Sequence, residues 1–209
     1  MAAMAPEDPP EDRPEDQQVE IGSERLEAFS DAVMAVIMTI MAFQLRPPAG
    51  VSRVAVRAQL PGLLVYVLSF AMIGIYWNNH HHLLRATKRI SGSVMWANLH
   101  LLFWLSLIPV TTEWVRNDWK YGLPAAAYGV VALAAGFAYS LLIKAIIRAN
   151  GRDSAVAAAI GGDLKGYGSL VPYAVGVAMA VVSPWISYAL YAAVSVIWLI
   201  PDRRFTRAR

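Results

Sequence analysis

Four stretches of this sequence run for 23 to 36 residues without an Asp, Glu, Lys or Arg. They are Ala58–Leu84 (27 residues), Ile90–Thr112 (23), Tyr121–Ile143 (23) and Gly166–Pro201 (36). Apolar blocks of about 18 or more residues are the signature of membrane-spanning helices, and they leave few other folds open. The longest block would make a helix of about 54 Å, against a hydrocarbon core of about 30 Å. It therefore reads as two short helices in a tight hairpin, broken at Ser183-Pro184. Composition agrees: 57% of the residues are hydrophobic and 16% charged, where a soluble domain carries about 25% charge.

A further span precedes these blocks and is built differently. Only 14 residues separate Asp31 from Arg46, or about 21 Å of helix. To reach about 20 residues the helix must run from Leu26 to Leu45. It then takes Glu27 to the interface and Asp31 inside it, and Pro47-Pro48 stops it on the far side. The expected fold is all-α and polytopic, with helices at about 26–45, 60–82, 92–112, 123–147, 167–182 and 185–201 in one domain over 23–202. Residues 1–22, with Pro6, Pro9, Pro10 and Pro14 among acidic side chains, read as a disordered cytosolic tail. Residues 203–209 read as a basic one.

Six spans place both termini on one side. That side carries Arg13, Arg25, Arg85, Lys88, Arg89, Lys144, Arg148, Arg152, Lys165, Arg203, Arg204, Arg207 and Arg209, 13 cations in all. The other side carries 5: Arg46, Arg53, Arg57, Arg116 and Lys120. The excess of cations on the cytoplasmic side of membrane proteins puts both termini in the cytoplasm of a plasma-membrane protein. The acidic, Pro-rich start does not have the form of a cleavable signal peptide. No basic patch with interleaved aromatics lies outside the spans, so nucleic acid is not an expected partner; membrane lipid is.

The chemistry-bearing residues sit near two helix ends. At about 100° per residue, Phe29, Val33, Val36, Ile40 and Phe43 form one narrow stripe with Thr39 at its edge. Steps of four and three suit either ordinary helix packing or a seam between copies of the same helix. Asp31 lies roughly 140° from Val36 on another face. An acid in the membrane costs about 2.5–3.5 kcal/mol on insertion scales and calls for a partner. Six residues make a poor helical pair with Arg25, so a partner on another helix is expected. Trp77-Asn78-Asn79-His80-His81-His82 closes the second helix at similar depth. Adjacent histidines on a helix point about 100° apart and cannot share one ion unaided, so no metal site is expected there. With no cysteine, thiolate sites and disulfides are excluded. His100 reads as a packing residue. Glu113 and Asp118 beside Trp114 and Trp119 read as an outer aromatic belt with solvated charges. Pro109 and Pro172 are expected to kink their helices. Nothing resembles a hydrolase or nucleotide motif, so neither an enzyme nor a cofactor is expected.

Arg25-Leu-Glu-Ala-Phe29-Ser30-Asp31 resembles the Arg-x-x-x-Phe-Ser-Asp signature of the transmembrane protein 175 family of potassium channels. Tyr76-Trp77-Asn78-Asn79-His80-His81 with Leu83, and Asn98 through Pro109, are similar to that family's second and third helices. The resemblance implies a homotetramer of six-helix chains of the prokaryotic type, conducting K+ passively and with modest selectivity along an axis lined by the first helices. It implies a hydrophobic constriction at Val36, further apolar layers at Ile40 and Phe43, and a potassium-preferring threonine at Thr39. It also implies a structural network of Arg25, Phe29, Ser30 and Asp31 with Trp77 and a histidine, His80 or His81. Val36 is smaller than the isoleucine or leucine usual in the family, and Phe43 bulkier than the usual leucine. Two other readings compete: a proton-coupled carrier using Asp31 and a second-helix histidine, and a membrane scaffold that transports nothing.

Overall fold

The computed structural model describes residues 14–160 and 164–199, and the described residues form helices and their connections only. The helices are α1 (Pro14–Phe43), α2 (Arg53–Arg85), α3 (Gly92–Ser106), α4 (Ile108–Asp118), α5 (Gly122–Asn150), α6 (Ala155–Ile160), α7 (Leu164–Met179) and α8 (Pro184–Leu199). α1 starts earlier than expected, so residues 14–22 are helical and not a disordered tail. Pro14 at the first helical position and Glu15 and Asp16 in the first turn suit a helix start. Residues 1–13 and the basic segment 203–209 lie outside the described residues.

Four segments are long and apolar enough to cross a membrane: Gly22–Phe43, Arg53–Arg85, Gly92–Asp118 and Gly122–Asn150. α2 begins seven residues before the expected position 60, because the Ser52 hydroxyl caps it by accepting from the Ala55 amide at 3.1 Å. The third span is two helices, α3 and α4, parted at Leu107. Pro109 explains the break: it offers no N–H, and its ring clashes with the carbonyl of Leu105. The chain tightens instead, with the Leu107 amide donating to the Trp104 carbonyl at 3.2 Å. α7 keeps Pro172 within an uninterrupted helix. The described residues add α6, a short helix that no sequence signal announced.

α5 is the packing centre, in contact with α3, α4, α7 and α8. Its buried face includes Ala125, Gly129, Ala132, Ala135 and Ala138, small residues that let neighbours approach closely. A side chain at Gly129 would collide with the Tyr191 hydroxyl of α8, and Gly176 leaves room for the same ring from α7. Tyr191 is thus held between small residues, donating to the Ala125 carbonyl at 3.2 Å. α5 ends on Gly151, whose φ of 92° few side chains would adopt. Before it, Asn150 accepts from the amides of Lys88 and Arg89 at 3.1 and 2.8 Å, closing the α2–α3 loop. α7 and α8, of 16 residues each, span about 24 Å and turn between them at residues 180–183.

Candidate functional site

α1 carries two stripes, and the fold uses only one. Ser30, Met34, Ile37 and Met41 are buried, at steps of four, three and four, and pack α1 onto the rest of the chain. The other stripe stays open: Phe29 is 50% exposed, Val36 56%, Ile40 45% and Phe43 84%. Val33 is half-buried and Thr39 exposed. The helices of a single chain therefore leave the Val36–Ile40–Phe43 face uncovered over about two turns. Thr39 donates its hydroxyl proton to the Ala35 carbonyl at 2.8 Å. The lone pairs of Oγ1 are then left free to meet a cation.

A polar cluster holds the opposite side of α1 to α2 and α3. His80, fully buried on α2, sits with Nε2 2.7 Å from Asn98 Oδ1 on α3. Asn98 Nδ2 donates to Ser30 Oγ at 2.9 Å, and Ser30 donates to the Leu26 carbonyl at 2.8 Å. Read from the acceptor end, each donor has one acceptor only if His80 carries its proton on Nε2. Ser23 adds a bond to the Leu84 carbonyl at 3.2 Å. At the next residue of α2, His81 Nδ1 lies 2.7 Å from Glu27 Oε1, a close contact not aligned as a hydrogen bond. Trp77 stacks on the His81 ring, with centroids 5.9 Å apart. Glu27, Asp31 and His81 bring one ligand atom each to within 4.8 Å of one another.

Of the residues that the resemblance assigned to a network, the structure brings only some together. Trp77, His80, His81 and Ser30 all take part. Arg25 is exposed and forms no ion pair among the described residues. Phe29 faces outward with the open stripe. Asp31 is half-buried, and its Oδ1 is buried without a hydrogen-bond partner. Glu27 and Asn98 were missed as site residues. Glu27 had a signal, since it precedes Asp31 by one helical turn and shares its face. Asn98 had none beyond lying in an apolar helix. Elsewhere, His100 accepts from Trp104 Nε1 at 2.9 Å, one turn along the same helix. Glu113 is paired with Arg116 at 3.2 Å rather than merely solvated.

Residues 25–109 match the family model described as the endosomal/lysosomal potassium channel TMEM175. The chain is 45% identical over 184 residues to a protein of Chryseobacterium sp. (strain P1-3) named a potassium channel, covering 88% of this chain and 96% of that one. A Streptomyces collinus protein of the same description is 34% identical over 128 residues, 57% of this chain and 62% of its own. The fold is similar to the crystal structure of a lysosomal potassium-selective channel TMEM175 homolog from Chamaesiphon minutus. The TM-score is 0.74 at 21% identity, covering 86% of this chain and 97% of that one.

Proposed function

Because the chain belongs to the TMEM175 family of potassium channels, we propose that it is a multi-pass membrane channel that passes potassium passively along an axis between four copies of itself. Each copy contributes α1, with Val36, Ile40 and Phe43 turned toward the axis. Four Val36 side chains close the path by steric contact and dewetting. Four Thr39 hydroxyl oxygens lie beside that constriction and replace part of the ion's hydration. Selectivity is modest, because a hydroxyl ring coordinates less tightly than stacked rings of carbonyls. α7 and α8 complete six spans per chain, and both termini face the cytoplasm of the plasma membrane, as the distribution of Lys and Arg favours. A channel of this kind needs no enzyme chemistry and no resident cofactor.

The observation that carries this reading is the open stripe on α1. Isolated apolar side chains on a surface need no explanation, but this stripe holds a hydroxyl already turned to expose its lone pairs. Lipid would cover the apolar part equally well and would give Thr39 nothing to do. Purified protein in liposomes, with potassium and sodium gradients compared, tests it. Potassium flux should exceed sodium flux, and Val36→Ala should raise the leak of both ions. Saturable uptake driven by a proton gradient, without channel events, would identify a carrier instead. No flux of any ion would leave a scaffold.

A further inference from the structure

The polar cluster contains a group of side chains that the pore reading does not use. Glu27 and Asp31 stand one turn apart on the same face of α1, and His81 meets them from α2. One ligand atom from each lies within 4.8 Å of the other two. Zinc bonds of about 2.0–2.2 Å set ligand atoms about 3.3–3.6 Å apart in a tetrahedron, so small side-chain adjustments would bring the three onto one ion. Asp31 supplies the second observation: its Oδ1 is buried with no hydrogen-bond partner. A carboxylate oxygen removed from water at a membrane boundary needs a donor or a cation. Arg25 and Arg85, the cations on the two helices at this end, form no ion pair or hydrogen bond with it among the described residues. Arg25 is exposed, and Arg85 Nη1 lies 3.5 Å from the far nitrogen of His81, across the ring from the carboxylates.

We propose that Glu27, Asp31 and His81 form a binding site for a zinc-type dication that staples α1 to α2. One imidazole nitrogen and two carboxylates suit a borderline dication such as zinc, cobalt or nickel better than magnesium or calcium, which favour all-oxygen shells. The two acids balance the ion's charge. Water fills the remaining position. His80 and His82 take no part: His80 is committed to Asn98, and His82 points to another face of α2. The site is complete within one chain, so it stands or falls independently of the pore.

The test is calorimetric titration of zinc chloride into the full chain in detergent, tag-free and stripped with chelator. Wild type should bind one zinc per chain and gain thermal stability that EDTA reverses. Losing an outer-shell partner alone weakens metal sites about 10–100-fold, so Glu27→Gln and His81→Ala should each weaken binding by more than about tenfold. His82→Ala should bind as wild type does, and Arg85→Ala, which removes a nearby cation, should bind more tightly. Two results would overturn the site. One is wild type that takes up no zinc. The other is zinc binding that survives Glu27→Gln but is lost in His82→Ala, which would assign it to the histidine run alone. Glu27→Gln keeps the size and shape of its side chain, so it stays informative if His81→Ala does not fold.

Discussion

Thr39 is the residue on which ion preference turns in the proposed pore. Its hydroxyl proton is spent on Ala35, so an ion in the pore meets oxygen lone pairs and not a donor. Thr39→Ala should lower the potassium-to-sodium permeability ratio by roughly three- to tenfold, equivalent to about 0.7–1.4 kcal/mol. Thr39→Ser keeps the oxygen and should retain most of the preference. Reversal potentials under bi-ionic conditions measure both, and an unchanged ratio in the alanine variant would remove Thr39 from the path. Asn98 is the corresponding residue of the structural cluster. Asn98→Leu would strip the partner from His80 Nε2, whose other ring nitrogen is already buried without one, and would orphan Ser30 as an acceptor. Interhelical hydrogen bonds in membranes are worth about 1–2 kcal/mol in model helices. The variant's thermal midpoint in detergent should fall accordingly. Periodicity could place Asp31 and Val36 on different faces of α1, because that needs only local geometry. It could not see Asn98, whose partner Ser30 is 68 residues away and whose neighbours are all apolar.

At the scale of elements, what sequence could read is what depends on length, charge and proline. Charge-free runs marked three of the four helices long and apolar enough to cross a membrane, because lipid tolerates few charges. They misplaced the start of α2, because an interfacial turn with Arg53 and Arg57 is helical without being apolar. Pro109 marked the break between α3 and α4, since a missing N–H acts within its own helix. Pro172, in α7, marked nothing of the kind, so proline alone does not decide where a helix is interrupted. Helix-to-helix fit was not legible, because it depends on which small residue faces which large one. Gly129 and Tyr191 are such a pair, 62 positions apart in sequence and in contact between α5 and α8. Gly129→Ala should therefore destabilise the chain despite improving helix propensity. Overpacking costs typically about 1–3 kcal/mol, more than the roughly 1 kcal/mol that Ala gains over Gly. Combining it with Tyr191→Phe, which removes the colliding hydroxyl, should recover part of the loss in a thermal-shift comparison.

At the scale of the whole molecule, the two stripes of α1 make opposite statements about neighbours. Met34, Ile37 and Met41 have theirs within the chain, whereas Val36, Ile40 and Phe43 do not. A membrane chain can leave such a face to lipid, so exposure alone does not require a second copy. The polar cluster adds weight, because it secures one end of α1 to α2 and α3 and so holds the open face in a constant direction. A helix that merely met lipid would gain little from being held so. The sequence contains no cysteine, which makes the distinction directly measurable. Val36→Cys should form a disulfide between copies on mild oxidation in native membranes, because residues around a narrow axis approach one another closely. Ile37→Cys, one position along but buried in its own chain, should not. Both variants occupy the same depth, so lipid-borne collision would give them similar yields. A covalent dimer seen with Val36→Cys alone would mean that α1 meets α1, and equal yields from the two would assign the open stripe to lipid.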